Sequence, residues 1–358
     1  MKATEYIDIA ILSILNNRRL LCSGMPGCAK TETNKQAVNI IRDIANGATY
    51  NSPMAKIITA TINKRADYWR KIKLMILHPV VSDTVDYKGF PFINADGEAD
   101  FVPFAYLKMM MDADYPLVVF FDDIGQANNS VQAALMQILL ERSVNGKKIS
   151  KDVIFIAATN RRKDGAGVSN IITPLLNRFS SIIDMEVDAN DWCLWASKNN
   201  MPIELISFIR FCPKLISTFK AEKDIKNFAS PRSIAELGQW INEGVTNFEV
   251  WQGCVGEAFA VEFNAFYSIF KSIAHLPDQI FNHPNKAEVP TKPDIIYALM
   301  GVLSKRANDV NIDNLFIYMD RLPIEYQVVI VSNLITMKPE LTSSKAYIDW
   351  CVKNPDKI

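Results

Sequence analysis

The sequence predicts an α/β domain with a mostly parallel sheet, followed by an all-helical region. Three observations predict it. Short apolar runs, LLC at 20–22, LVVFF at 117–121 and VIFIAA at 153–158, alternate with stretches of helical spacing, as in buried parallel strands joined by helices. The first run leads through a glycine-bearing loop straight into a helical pattern. After about Asp188 the strand patterns stop and Trp, Phe, Ile and Leu recur at helical spacings.

The elements follow in order. Ile7, Ala10, Ile11, Ile14 and Leu15 lie on one helical face, predicting a helix over 5–16. The strand at 20–22 stops at Gly24, and a helix over 30–45 closes at Asn46-Gly47. The stretch NKRADYWRKIK, 63–73, is basic and holds Tyr68 and Trp69. It reads as a solvated helix face with buried aromatics, with a nucleic-acid contact as the alternative. A second strand is expected at 74–81. A hairpin-like insertion spans 86–104, with its turn at Asp96-Gly97, before a helix at 105–114. Leu117 to Phe121 is too short for a helix and suits a central strand buried on both faces. Val131, Ala134, Leu135, Ile138 and Leu139 mark an amphipathic helix, and Asn145-Gly146 a turn. The strand at 153–158 runs into Thr159-Asn160, and the last strand is expected at 181–187. Several prolines between His275 and Pro293 suggest a linker. The expected domains are 1–187 (α/β), 188–285 (helical) and 286–358 (a C-terminal helical extension).

Composition narrows the function classes. Hydrophobic residues at 49% and charged residues at 22% describe a globular protein with ample core. A formal net charge of zero argues against a dedicated nucleic-acid binder. The six cysteines form no C-x-x-C, and the three histidines are not at ligand spacing from them, which argues against structural zinc. Scattered thiols, no signal-peptide pattern and no run near the ~20 apolar residues of a span predict a cytoplasmic protein without membrane contact.

GMPGCAKT, Gly24 to Thr31, fits the phosphate-binding pattern G-x-x-x-x-G-K-[ST] with one departure, Ala29 in place of the second glycine. Gly24 and Gly27 let the backbone turn so that its amides can face phosphate oxygens, and the following helix start adds partial positive charge. Lys30 would reach the β- and γ-phosphates and the Thr31 hydroxyl would ligate Mg²⁺. The methyl of Ala29 is tolerable if that residue keeps φ negative. Downstream, the apolar strand at 117–121 ends in Asp122 and Asp123. Asp122 would hold the Mg²⁺ shell and Asp123 would orient the attacking water. The alternative is a pair of acids favoured by a helix N-terminus. Asp123 is one methylene shorter than the Glu more usual for a base, and a misplacement of about 1 Å can cost roughly a hundredfold in rate. Nucleotide binding is therefore better supported than fast turnover.

GMPGCAKT, FFDDIGQA, FIAATN, LLNRF and SPRS occur in the order expected of AAA+ ATPases. With VQAALMQILLERSV and the insertion at 86–104, the chain resembles the MoxR-type branch, and most closely the MoxR-like ATPases of bacteriophages. The resemblance covers about residues 10 to 245. It implies an AAA+ P-loop NTPase core with a mostly parallel sheet, a helical lid at 188–285 and the helical extension beyond. It implies ATP and Mg²⁺ as cofactors, with Gly24, Met25, Pro26, Gly27, Cys28, Ala29, Lys30, Thr31 and Glu32 binding the nucleotide and Thr31 and Asp122 the metal. It places Asp123, Asn160 (sensor 1, the alternative being a turn-forming Asn), Arg178 (arginine finger, the alternative a surface ion pair) and Arg232 (sensor 2) in catalysis. Arg161 and Arg162 fall at a subunit interface or on solvated surface. The resemblance further implies ATP hydrolysis, slow without a partner, in a homo-oligomeric ring expected to be hexameric. Relatives act as chaperone-like assembly factors, often beside a von Willebrand factor A-domain protein, so a protein client is expected. A nucleotide-gated scaffold and a nucleic-acid motor or loader are the alternatives.

Overall fold

The computed structural model describes residues 1–161, 164, 171–219, 227–273 and 275–357. The chain forms two compact units, Met1–Glu186 and Val187–Ile358.

The first unit carries β1 (Leu20–Gly24), β2 (Lys73–Leu77), β3 (Phe90–Ile93), β4 (Ala99–Val102), β5 (Leu117–Phe121), β6 (Ser143–Val144), β7 (Lys147–Lys148), β8 (Val153–Asn160) and β9 (Ser181–Met185). Five of these make one parallel sheet in the order β2-β5-β8-β1-β9. The register of β5 is Leu117 opposite Lys73 on one side and opposite Val153 on the other. All five residues of β5 are buried, because both sheet faces are covered and every position of the continuous apolar run meets core. Asn145 and Gly146 both adopt positive φ, the geometry of the two-residue turn that joins β6 to β7.

The helices of this unit are α1 (Ala3–Leu15), α2 (Lys30–Ala45), α3 (Ala55–Asn63), α4 (Ala66–Trp69), α5 (Thr84–Lys88), α6 (Ala105–Asp112), α7 (Asn129–Glu141) and α8 (Thr173–Leu176). Helix α7 begins where Asn128 accepts the Val131 amide, at 3.0 Å. Its Val131, Leu135, Ile138 and Leu139 join β5 and β8 in one core.

Two expectations are refined. The second strand ends at Leu77 instead of running to 81, and Pro79–Val81 forms a 3₁₀ turn. Proline has no N–H for the ladder, so the strand stops before it. The last strand ends at Met185, two residues short of the expected bound. The insertion at 86–104 contains the antiparallel pair β3–β4, with Phe90 opposite Val102. In the basic stretch 63–73, Trp69 is buried and the Tyr68 hydroxyl donates to Asp152 Oδ1 at 2.6 Å. Arg65 covers the Tyr68 ring at 3.9 Å. The aromatics are committed to the protein, as the solvated-face reading has it.

The second unit shows helices and no strands among its described residues: α9 (Ala189–Lys198), α10 (Ile203–Phe211), α11 (Pro231–Asn242), α12 (Phe248–Val255), α13 (Glu257–Ser272), α14 (Leu276–Asn282), α15 (Pro293–Arg306), α16 (Ile312–Met319), α17 (Ile324–Met337) and α18 (Lys345–Lys353). Phe208 of α10 lies 5.1, 5.3 and 5.5 Å, ring to ring, from Phe259, Phe263 and Phe266 of α13. One core runs on from there through Leu303, Tyr318 and Leu334. The linker expected between His275 and Pro293 is narrowed to 283–292, the non-helical stretch between α14 and α15. Pro277 lies in the first turn of α14 and Pro293 opens α15, while Ile280, Phe281 and Ala287 are core residues. Proline is favoured in a first helical turn, so Pro277 and Pro293 mark helix starts, while Pro284 and Pro290 lie in the non-helical stretch.

Candidate functional site

In a parallel sheet of this kind, ligand-binding residues collect beyond the carboxyl ends of the strands. Strand β1 lies between β8 and β9, and β8 lies beside β5, so the ends at Gly24, Phe121 and Asn160 are neighbours. The loop from Met25 to Ala29 leaves β1 and enters α2 at Lys30.

Gly24 is required by close approach. A Cβ there would meet Cys28 Sγ at 2.7 Å and the Met185 carbonyl oxygen at 3.2 Å. Met25 and Cys28 are buried, Pro26 half so. Gly27 has φ +75° and Ala29 φ +70°. Ala29 thus does not keep the negative φ on which its tolerance was conditioned. A non-glycine residue in this region is strained by about 1–2 kcal/mol. The thiol of Cys28 is pushed up from its ordinary range by burial, against the opposing pull of Lys30. Cys22, on β1, is pushed up to about 12 by the same cause, followed by the nearby Cys28.

Lys30 is only 7% exposed. Its Nζ donates to the carbonyls of Gly24 at 3.0 Å and Met25 at 2.9 Å, and to Asn160 Oδ1 at 2.7 Å. A buried ammonium needs such partners, because desolvation without them is costly. Its carbonyl oxygen accepts from Asn34 Nδ2, whose Oδ1 in turn accepts from the buried Tyr6 hydroxyl. Thr31 Oγ1 donates to Asp122 Oδ2 at 2.6 Å. Asp122, 8% exposed, is anchored by its own amide on the Leu77 carbonyl at 2.8 Å, which fastens it to the neighbouring strand β2. Glu32 points to solvent and pairs with Lys35 at 4.0 Å.

Asp123 has φ +54°, so the chain turns sharply directly after Asp122. The Asp123 amide donates to Asp122 Oδ1 at 3.1 Å, and Asp123 Oδ1 accepts from Gln126 Nε2 at 3.0 Å. The turn is pressed onto β8: a Cβ on Gly125 would lie 2.2 Å from Thr159 Oγ1.

The structure thus brings Lys30, Thr31, Asp122, Asp123 and Asn160 together. Arg178 follows α8. It is half-buried, and its Nε is buried with no partner among the described residues. Arg232 is exposed at the second position of α11, in the second unit, beside the capping pair Ser230 and Ser233. Arg161 donates to Asp164 at 2.9 Å and lies 3.7 Å from Asp184, an intramolecular engagement whose Asp164 bond raises its pKa. Arg162 lies outside the described residues. Gln126 is a contact that sequence reasoning missed. Its only signal was a polar residue set between Gly125 and the buried Ala127.

ATP and Mg²⁺ fit these residues. A threonine hydroxyl and a carboxylate are hard oxygen donors, and a site with so few protein ligands suits an ion that keeps several waters. Gly24 lets the loop close on itself, since a side chain there would meet Cys28 Sγ and the Met185 carbonyl.

The family model described as "ATPase family associated with various cellular activities (AAA)" matches residues 89–187. That segment runs from β3 through β9 and carries Asp122, Asp123, Asn160 and Arg178. The chain as a whole has the AAA+ fold, a parallel α/β core followed by helices. No curated protein matches the chain. Among solved structures it is similar to a RuvB variant from Thermotoga maritima, with 14% identity over 76% of this chain and 75% of that one, TM-score 0.39. The RuvB Holliday junction branch migration motor of the same organism gives 13% identity, the same coverage and a TM-score of 0.34. NtrX from Brucella abortus in complex with ADP gives 11% identity over 99% of this chain and 68% of that one, TM-score 0.33.

Proposed function

We propose that the chain is an ATP-binding and ATP-hydrolysing ring ATPase of the MoxR type, close to those of bacteriophages, that remodels or assembles a protein client. One observation carries the nucleotide reading. Lys30, Thr31, Asp122 and Asn160, from three separate segments, are joined by hydrogen bonds of 2.6–2.7 Å at the ends of adjacent strands. Lys30 exchanges its carbonyl partners for phosphate oxygens, and residues 24–32 line the phosphates, with backbone N–H donors at every position but Pro26. Thr31 and Asp122 hold Mg²⁺, which when bound neutralises phosphate charge. Asp123 and Asn160 orient the attacking water. Arg178 completes a neighbouring subunit's site in a homo-oligomeric ring, taken as a hexamer. Arg232, at the start of a lid helix, senses the γ-phosphate. Residues 188–285 act as the lid and 286–358 as its extension, both packed on the core described above. A von Willebrand factor A-domain protein is a candidate partner, and the cytoplasm the working compartment.

The test is phosphate release from Mg-ATP over a range of protein concentrations, with Lys30→Ala and Arg178→Ala alongside. Specific activity is expected to rise with concentration. Both variants are expected to fall by at least about 10³-fold, the lower end of an arginine finger's contribution. Only Arg178→Ala is expected to keep wild-type nucleotide affinity. Equal loss of binding in both variants removes the trans role.

A nucleotide-gated scaffold with little turnover is the second reading. The strained Ala29 and the short Asp123 favour it. A nucleic-acid motor or loader is not favoured: Tyr68 and Trp69 of the basic stretch are occupied within the fold.

A further inference from the structure

The turn after β5 holds a glutamine amide that is only half satisfied. Gln126 Nε2 donates to Asp123 Oδ1 at 3.0 Å. Its Oε1 is buried and has no donor among the described residues. The two facts are connected. An amide has a donor end and an acceptor end, and a carboxylate can only accept. Turning the amide over would set oxygen against oxygen, so Asp123 dictates which end faces it and Oε1 is left without a partner. A buried acceptor without a partner costs about 1–3 kcal/mol, a cost a purely structural site would avoid with an apolar side chain.

The backbone around it is specialised in the same direction. Asp123 sits at φ +54°, a conformation non-glycine residues adopt at a cost. Gly125 lets the turn lie so close to Thr159 that a methyl would come within 2.2 Å of its hydroxyl. The turn is thereby fixed to β8, next to Asn160. Asp123 Oδ2 has no partner among the described residues, so one carboxylate oxygen is clamped and the other is open.

We propose that Gln126 is a positioning residue for Asp123. Its amide clamps Oδ1 and leaves Oδ2 as the oxygen presented to the attacking water, offsetting the missing methylene of an aspartate at the base position. This rests on the ATPase reading given above and adds to it a residue that touches neither nucleotide nor metal.

The test separates positioning from packing without needing turnover. Titration calorimetry would compare Mg-ADP with Mg-ADP plus aluminium fluoride, an analogue of the in-line transfer state. Wild type, Gln126→Leu, Gln126→Glu, Asp123→Asn and the double variant Gln126→Leu/Asp123→Asn are each measured. Gln126→Leu and Gln126→Glu are expected to keep ADP affinity within about twofold and to lose at least about tenfold in preference for the fluoride complex, the scale of a charge-assisted hydrogen bond. In the Asp123→Asn background, Gln126→Leu is expected to add nothing, because two residues acting through one contact are not additive. Gln126→Glu keeps the side chain's size, so a packing fault in the leucine variant cannot imitate the result. Equal loss for ADP and the fluoride complex, an unchanged preference, or additive losses overturn the positioning role and leave the ATPase reading standing. A wild type that binds no Mg-ADP overturns both.

Discussion

Ala29 and Lys30 show how much of the site turns on backbone geometry at single residues. The pattern G-x-x-x-x-G-K-[ST] has its second glycine where the structure needs φ +70°, and this chain supplies alanine there. The identity of Ala29 was legible in the sequence, whereas its φ was not, because φ is set by the loop closing between β1 and α2. Ala29→Gly is expected to stabilise the protein by about 0.5–1 kcal/mol. That is the relief of left-handed strain, about 1–2 kcal/mol, less the greater unfolded-chain entropy of glycine, about 0.4–1 kcal/mol. Urea denaturation would show it as a raised midpoint at constant slope. Lys30 and Thr31 were legible from spacing alone. Gln126 was not, since nothing in DDIGQA states that the chain reverses after Asp122 and brings the fifth residue back to the second.

At the level of elements, the strands that carry the site were the clearest part of the sequence. LVVFF is buried at every position and bounded as its composition predicts, because a strand enclosed on both faces has no polar positions to blur its ends. The edge strand β2 was less clear: its residues are only partly buried, and an apolar Val80-Val81 pair continues past the proline that ends it. The contact between the 124–126 turn and β8 is a feature of packing, invisible to any periodicity. Its consequence is sharp. Gly125→Ala would place a methyl 2.2 Å from Thr159 Oγ1 and 2.8 Å from an Ile171 side-chain carbon. Overpacking of this kind costs about 1–3 kcal/mol. A lowered thermal midpoint is expected, together with loss of nucleotide hydrolysis beyond what the lost stability explains.

For the whole molecule, the change from alternating strands and helices to helices alone near residue 188 was readable, and the described chain divides into units meeting at Glu186 and Val187. The proline-rich stretch at 275–293 was readable only in part: Pro284 and Pro290 lie in the non-helical connection at 283–292, whereas Pro277 and Pro293 start helices, because proline breaks a helix interior but favours a first turn. The core of the second unit is built from its own residues, with Phe208, Phe263, Leu303 and Leu334 drawn from four helices. A fragment spanning 187–358 is therefore expected to fold by itself, with helical circular dichroism and one cooperative melt. A non-cooperative melt would show that the first unit is needed to complete it.

The hydrogen bonds of Lys30 carry a consequence for timing. Its ammonium is held by two loop carbonyls and Asn160, all within 3.0 Å. Nucleotide capture then becomes a substitution reaction, in which the lysine lets go of the loop before or while it takes hold of phosphate. Encounter and locking are separate events with separate barriers. The observed association rate would level off as nucleotide concentration rises, at a ceiling set by the release of one side chain.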